Sequence, residues 1–284
     1  MLSSLLLAAC ATVTPDLPAI TDAPTGEHNS GMVVWRDLLT NTPEQSRTFY
    51  TELFGWTFER PGIVTGLGDD TYMVIRHEGK LIGGMLDTRV LKKEQNISQW
   101  ITVISVNDVE AAASRVESNG GKVLTQPTRL ATRGTLSIAE DPTGAIFALL
   151  QSNSGDPAVV DPTVNGFLWE ELWTNDVSRA TDFYREVVGY DSDDFEVQET
   201  DRVYRVLKTD DQPRAAIIAN PFEGEMPVWV NYLRVADPSK ITTRVEGLGG
   251  QIYVDTQDRP IGGKVAFIAG LSGAGVGLQT WPLD

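Results

Sequence analysis

In two places a carboxylate stands two residues after a tryptophan, an arrangement that could do acid–base chemistry. The first is Trp35-Arg-Asp37 and the second is Trp169-Glu-Glu171. Residues i and i+2 of a β-strand lie on one face, so each indole is expected to share a face with its carboxylate. An apolar setting raises the pKa of a carboxylate toward neutrality, which suits a general base. Asp37 and Glu171 are therefore the candidate catalytic residues.

Both places belong to a longer repeat. The string WRDLLTNTPEQSRTFYTELFGW begins at Trp35, and WEELWTNDVSRATDFYREVVGY begins at Trp169, at a constant offset of 134. A second pair of strings, SRVESNGGKV and TRVEGLGGQI, recurs at an offset of 129. Repetition at this length indicates a duplicated domain and not a solenoid, whose period is roughly 20–50 residues.

Strand and helix signals alternate in the same order in both copies. In the first copy a β-rich run precedes a helix that is expected to begin at Thr42 and Pro43 and to end at Gly55. Further short strands follow, and the pattern then restarts within the same copy. The sequence therefore predicts an α+β fold of two tandem modules. Each module is built of paired βαβββ units that form a cup-shaped mixed sheet with helices on its outer face.

Three motifs resemble one known family. They are W-x-[DE]-L-x-T-N followed by FY-x-E-x-x-G-[WY], V-x-D followed by RVE-x-x-GG, and EDPTGAIFALLQ. Together they resemble the vicinal-oxygen-chelate superfamily of glyoxalase I, extradiol dioxygenases and bleomycin-resistance proteins, and above all its two-module glyoxalase-like members. The resemblance extends from Gly31 to the C-terminus. Because this fold hosts unrelated chemistries, function must be argued from the site.

The resemblance also implies where metal-dependent members hold their metal: on the first strand, on the strand before the second helix and on the last strand. These positions carry, module by module, Trp35, Ile101 and Ala148, then Trp169, Val230 and Gly277. A divalent metal needs several N, O or S donors, and none of these side chains supplies one. We therefore expect no metal and no other cofactor. The two histidines, His28 and His77, are expected to be solvated.

Strand alternation predicts what lines the cups instead. The candidate ligand-binding residues are Trp35, Trp169, Trp173, Tyr232 and Arg234. Aromatic walls with isolated charges suit a planar or partly apolar small molecule, held by stacking and one or two ionic contacts. Two alternatives stay open. The indoles of Trp35 and Trp169 could fill the cups, and Glu171 and Arg234 could form a buried pair that satisfies itself.

The charge composition restricts the classes of partner that the protein can bind. The net charge of −16, from 23 basic and 39 acidic residues, argues against nucleic acid or an anionic lipid surface as a partner. It permits a cationic ligand. The sequence leaves open whether two chains pair as a homodimer.

The N-terminal string MLSSLLLAAC is too short to span a bilayer, which needs about 20 apolar residues. It resembles a bacterial lipobox, in which Cys10 is lipidated, although no Lys or Arg precedes the apolar run. The next residues are rich in Pro, Thr, Asp and Gly and predict an extended, solvated tether. The expected organisation is a signal (1–10), a tether (11–30), module 1 (31–152), a linker (153–164) and module 2 (165–284). This organisation implies a lipid-anchored protein of the bacterial cell envelope.

Three functions are compatible with these observations. We expect a metal-independent protein, similar to bleomycin-resistance members, that binds a small organic molecule, cationic or aromatic, at the cell envelope. The first alternative is a glyoxalase-like lyase or isomerase that uses Asp37 or Glu171 as a base. The second is a catalytically silent envelope scaffold.

Overall fold

The structure, a computed structural model, describes residues 16–62, 71–196, 203–259 and 262–280. Cys10 and the rest of the proposed signal lie outside these residues, so lipidation and the envelope anchor stay predictions. Within the described ranges, no helix combines the length and apolar character needed to cross a membrane.

Module 1 forms a mixed sheet with two helices. Its elements are β1 (Val33–Thr40), α1 (Pro43–Phe54), β2 (Thr57–Glu59), β3 (Tyr72–His77), β4 (Lys80–Asp87), a 3-10 helix (Thr88–Leu91), β5 (Gln99–Ser105), α2 (Val109–Ser118), β6 (Lys122–Leu130), β7 (Gly134–Glu140) and β8 (Ile146–Ser152). The strand order is β2-β3-β4-β1-β5-β8-β7-β6. β1 pairs with β4 in parallel and β5 pairs with β8 in parallel, so two βαβββ units meet where β1 and β5 pair antiparallel.

Module 2 repeats this architecture. Its elements are β9 (Phe167–Thr174), α3 (Val177–Val188), β10 (Asp191–Glu196), β11 (Val203–Thr209), β12 (Gln212–Ala219), β13 (Val228–Arg234), α4 (Pro238–Val245), a 3-10 helix (Glu246–Leu248), β14 (Gln251–Asp258), β15 (Lys264–Ala269) and β16 (Gly275–Gln279). The order β10-β11-β12-β9-β13-β16-β15-β14 matches that of module 1 strand for strand. The α+β fold class of two tandem cup-shaped modules is therefore confirmed.

The helix ends follow local sequence chemistry. Gly55 and Gly189 end α1 and α3 with φ values of 72° and 89°, in the left-handed region that glycine adopts without strain. Asp176 caps α3 by accepting a 3.0 Å hydrogen bond from the amide of Arg179. Thr42 precedes α1 as expected, but its side chain makes no capping hydrogen bond.

A β-bulge determines on which face of the sheet each repeated tryptophan side chain lies. The pairing of β1 with β5 shifts between Val33 and Trp35, and that of β9 with β13 shifts between Phe167 and Trp169. Without the extra residue, Val33 and Trp35 would share a face. With it, Val33 joins a core on the helix side of the sheet while Trp35 joins the cluster on the cup side.

The two modules share their helix-side cores. One core brings Phe147 of β8 to Tyr184 of α3, with ring centroids 5.3 Å apart. The other brings Trp56 of module 1 to Phe167 of β9, with centroids 5.4 Å apart. The cup-side clusters, in contrast, each draw on one module alone. The helices therefore lie on the face opposite the cups, and the cups lie on the outside of the pair.

Residues 16–30 form neither helix nor strand, and residues 22–28 are exposed, but residues 16–20 are buried or partly buried and differ from the expected solvated tether. Ile20 has no exposed surface and belongs to the cup-side cluster of module 1. Asp16 accepts hydrogen bonds from the amide and the hydroxyl of Thr132, at 2.9 and 2.6 Å. The apolar side chain of Ile20 explains the difference, because burial in a cup removes it from water.

Candidate functional site

A network of four side chains forms the polar part of the cup of module 1. Trp35 Nε1 donates to Asp37 Oδ1 at 2.9 Å, and the hydroxyl of Tyr72 donates to the same oxygen at 2.6 Å. Arg133, which is fully buried, donates to the hydroxyl of Tyr72 at 2.8 Å and to Asp37 Oδ2 at 3.3 Å. The repeated indole and carboxylate therefore share a face, and a tyrosine and an arginine join them.

An indole, a carboxylate, a phenol and a guanidinium also meet in module 2, where the carboxylate is a glutamate. Trp169 Nε1 donates to the hydroxyl of Tyr204 at 2.7 Å, which in turn donates to Glu171 Oε1 at 2.7 Å. Arg259 forms an ion pair with the same oxygen of Glu171. Trp173 Nε1 donates to Glu171 Oε2 at 3.2 Å. We call these two networks the Trp–carboxylate–Tyr–Arg tetrads: Trp35, Asp37, Tyr72 and Arg133, and Trp169, Glu171, Tyr204 and Arg259.

The tyrosines of the tetrads act as hydrogen-bond donors and not as bases. Burial raises the pKa of Tyr72 far above its ordinary value. Burial, and then the nearby charge of Glu171, raise the pKa of Tyr204 and of Tyr232 well above their ordinary values. These phenols therefore keep their protons, and the carboxylates accept from them.

Of the two candidate bases, Glu171 is the more enclosed. It has no exposed surface, and both of its oxygens accept hydrogen bonds from protein donors. The Asp37 side chain is 18% exposed and accepts from Trp35, Tyr72 and Arg133. Each carboxylate is thus the acceptor at the centre of its tetrad, an arrangement that holds neighbouring side chains in place.

The proposed pairing of Glu171 with Arg234 was wrong. Arg234 Nη1 donates to the carbonyl of Pro162 at 2.6 Å, in the linker between the modules. Glu171 does form a buried ion pair, but its partner is Arg259. Arg259 lies immediately after β14, far from Glu171 in the sequence, and no local pattern indicates that the two meet.

Sequence reasoning missed the tyrosine and the arginine of both tetrads. Tyr72 and Tyr204 occupy matching strands, β3 and β11, and both stand in a Tyr-x-Val string that repeats between the copies. That repeat was a usable signal. Arg133 and Arg259 come from matching hairpins but not from matching positions, so the repeat does not reveal them.

Module 1 has a filled cup. Ile20 inserts from the N-terminal segment, and the carbonyl of Pro18 accepts a 2.9 Å hydrogen bond from Arg133. A cavity of about 30 Å³ remains between Leu39, Ile101 and Ile138, with room for a water or two. The N-terminal segment thus contributes Ile20 to the interior of this cup.

The cup of module 2 keeps an aromatic wall that is partly open. Trp173 lies 4.9 Å from Phe267 and 5.8 Å from Phe222, centroid to centroid, and Tyr253 lies 5.7 Å from Phe267. Trp169, Phe222 and Phe267 are only partly buried, and Tyr253 is 46% exposed. In the described part of the chain, no segment inserts here as Ile20 does in module 1.

The six positions implied for a metal do face the cups. Trp35, Ile101 and Ala148 belong to one cup-side cluster, and Trp169 and Val230 belong to the other. Gly277 lies under the ring of Tyr232, where an added Cβ would come within 2.3 Å of a ring carbon. The six positions that the family resemblance implies therefore lie on the cup side of the sheets, and their side chains offer no atom that coordinates a divalent metal.

Comparisons with known proteins agree with this geometry. The family model described as Glyoxalase/Bleomycin resistance protein/Dioxygenase superfamily matches residues 32–149 and 164–278. The chain belongs to this superfamily. The two matches correspond to the two modules, and β1 to β8 and β9 to β16 lie almost wholly within them.

Curated members of the superfamily share this two-module length. The chain is 29% identical over 248 residues to "Putative glyoxylase CFP32" of Mycobacterium tuberculosis (strain CDC 1551 / Oshkosh), covering 87% of this chain and 94% of that protein. It is 29% identical over 251 residues to "Anthracycline biosynthesis protein DauV" of Streptomyces sp. (strain C5), covering 84% and 89%.

Solved structures of the superfamily share the fold at low identity. A Mn(II)-bound glyoxalase from Novosphingobium aromaticivorans superposes with a TM-score of 0.62 at 15% identity, covering 89% of this chain and 83% of that one. The 2,3-dioxygenase LapB from Pseudomonas sp. KL28 gives 0.59 at 11%, covering 89% and 93%.

The residues of this superfamily member do not fit the metal of its metal-dependent relatives. The six positions carry indole, aliphatic side chains and a glycine, none of which coordinates a divalent ion. The described residues also contain no cluster of three or more His, Cys, Asp or Glu side chains placed to hold one. His77 was expected to be solvated, but it is 8% exposed and lies 2.8 Å from the carbonyl of Val164.

Proposed function

We propose that the protein binds a planar, partly apolar organic molecule in the cup of module 2, without a divalent metal. The observation that carries this proposal is the difference between the two cups. Ile20 fills the cup of module 1, whereas the aromatic wall of module 2 stays partly open. A partly exposed group of aromatic rings is a typical surface for stacking a flat ligand.

The charges in this cup favour an uncharged aromatic ligand over a cation. Glu171 is the acidic residue of the tetrad, and Arg259 already neutralises it through an ion pair. The net charge of −16 attracts cations at long range, but this attraction is screened at physiological salt. Two relatives at 28–29% identity are named for anthracycline biosynthesis, which supports an aromatic ligand but does not bear on its charge.

The enzyme alternative has less support from the geometry. A general base must reach the proton that it removes, and the oxygens of Glu171 are already occupied by protein donors. Asp37 lies in the filled cup of module 1. The proposed location at the cell envelope rests on the lipobox-like string that ends at Cys10.

Equilibrium dialysis with 2-acetonaphthone, a neutral bicyclic ketone, tests this function. We expect saturable binding to the wild-type protein. Because Tyr253 contributes an exposed ring to the wall, Tyr253→Ser should weaken binding about 3- to 10-fold, as expected for one lost aromatic contact.

Val159→Ser is the matched control, because Val159 is an exposed apolar residue of the linker, 75% exposed, far in the chain from the module 2 wall. It should bind as wild type does. Absence of saturable binding to the wild type, or equal affinities of the wild type and Tyr253→Ser, would contradict the proposal.

A further inference from the structure

Gln279 carries a buried hydrogen-bond donor on the floor of the module 2 cup. It lies on β16, two residues after Gly277 and on the same face, and is 1% exposed. Its Oε1 accepts a hydrogen bond from Arg259 Nη1. Among the described residues, no acceptor lies within hydrogen-bonding distance of its Nε2.

The orientation of this amide is fixed by its neighbour. A guanidinium can only donate, so the oxygen of Gln279 must face Arg259 and the NH₂ group must face away. A buried N–H without a partner is unfavourable, and native proteins rarely leave one unpaired. Nε2 therefore points away from Arg259 and is left able to donate to a partner.

The fold itself does not require an amide at this position. In module 1 the matching residue is Leu150, on β8, which is fully buried and apolar. Ala148 and Gly277 are the preceding matched pair, and each pairs with the equivalent strand of its sheet. The polar residue thus occurs in the module whose aromatic wall is partly exposed and is replaced by leucine in the module whose cup contains Ile20.

We propose that Gln279 Nε2 donates a hydrogen bond to an acceptor oxygen of the ligand, a carbonyl or a hydroxyl attached to its aromatic ring. This inference rests on the proposed function of the module 2 cup and specifies its ligand further. The aromatic wall holds the ring, and Gln279 selects ligands by the oxygen that the ring carries. A site built around a donor discriminates against a ligand that lacks the acceptor, because the donor is then left unpaired.

Two probes of nearly equal shape test this selection. 2-Acetonaphthone carries a ketone oxygen, and 2-ethylnaphthalene has the same ring without an acceptor. In equilibrium dialysis the wild-type protein should bind the ketone about 5- to 10-fold more tightly than the hydrocarbon, the ratio expected for one hydrogen bond.

Gln279→Glu and Gln279→Leu test whether the amide of Gln279 causes the preference for the ketone over the hydrocarbon. The glutamate is nearly isosteric and keeps an oxygen for Arg259 but removes the donor, and the leucine restores the residue of module 1. Both variants should lose the preference for the ketone, and far-UV circular dichroism and thermal melting check that each is folded. If Gln279→Leu fails to fold, Gln279→Glu alone decides.

The outcomes separate this inference from the function on which it rests. If neither probe binds the wild type, the proposed function fails. If both bind it with equal affinity, the cup binds aromatic rings but Nε2 is satisfied by a water, and the inference is overturned. A preference that persists in Gln279→Glu would also overturn it, whereas loss of the preference in the variants supports it.

Discussion

Glu171 accepts hydrogen bonds from Tyr204 and Trp173, forms an ion pair with Arg259 and has no exposed surface. A carboxylate in such a position orders its neighbours, because each donor is fixed in direction by a shared acceptor. The tetrad therefore places Tyr204 and the indole of Trp169 at the base of the aromatic wall. At the scale of single residues, these carboxylates stabilise the shape of the cup.

Replacing Glu171 by Gln should lower the free energy of unfolding by about 3–5 kcal/mol, because it leaves the charge of Arg259 buried without a counter-ion. Urea unfolding monitored by circular dichroism measures the difference. Glu52→Gln is the control, since Glu52 is an exposed partner of Arg244 and its loss should change little. Equal stabilities of Glu171→Gln and the wild type would rule out a structural role for the tetrad.

The N-terminal segment acts as an element of module 1 although it has no regular secondary structure. Asp16 holds it to the β6–β7 hairpin through Thr132, and Arg133 of the same hairpin holds the carbonyl of Pro18. These contacts hold the segment so that the side chain of Ile20 packs inside the cup of module 1. A segment fixed at its backbone and buried at one side chain contributes to stability as a strand or helix would.

Truncation of Ile20 should therefore destabilise the protein in proportion to the volume removed. We expect a loss of about 0.5–1.5 kcal/mol for Ile20→Val and about 2–5 kcal/mol for Ile20→Ala, because a fully buried side chain leaves a cavity. Urea unfolding gives the free energies. Ala23→Gly, at an exposed position of the same segment, is the control. If Ile20→Ala were as stable as the control, the segment would not be packed in the cup.

The strands of the cups could be predicted from the sequence because their information is local. Alternation along β1 and β9 places Trp35 with Asp37 and Trp169 with Glu171. In the structure Trp35 donates directly to Asp37, whereas Trp169 is linked to Glu171 through the hydroxyl of Tyr204. The bulges before both tryptophans were not predicted, since an extra residue leaves no mark on alternation read from Trp35 onward.

The long-range contacts could not be predicted. Ile20 lies in a segment without periodicity, and its burial depends on a cup that only the complete sheet creates. Arg259 reaches Glu171 from a hairpin 88 residues later in the chain. The sequence left a Glu171–Arg234 pair open as one alternative. Strand alternation does not show that Arg234 instead donates to the linker carbonyl of Pro162.

At the scale of the whole molecule, duplication has given two modules with different interiors. The modules share their helix-side cores, so neither can be removed without exposing apolar surface of the other. Ile20 packs into the cup of module 1, whereas the aromatic wall of module 2 is partly exposed. On the helix side of the sheets, where the two modules meet, Thr102 of β5 also donates to Asn231 of β13 at 3.2 Å.

A buried ion pair crosses the same boundary. Arg36 Nε of β1 donates to Glu170 Oε1 of β9 at 2.8 Å, and its guanidinium lies 4.7 Å from the ring centre of Phe167. Burial raises the pKa of Glu170 above its ordinary value, and Arg36 only partly offsets this effect. Removing the arginine must therefore raise the pKa of Glu170 further.

Arg36→Met keeps the apolar contact with Phe167 but leaves Glu170 buried alone. A carboxyl whose pKa is higher in the folded than in the unfolded state stabilises the fold below the unfolded pKa, and this contribution is lost as pH rises through the folded pKa. The deficit of Arg36→Met relative to wild type should thus be small at pH 5 and reach about 3–5 kcal/mol at pH 8 in urea unfolding. Adding Glu170→Gln to Arg36→Met should remove the pH dependence of this deficit, because residue 170 then has no carboxyl to titrate. A deficit equal at both pH values would mean that Glu170 finds another counter-charge at the module boundary.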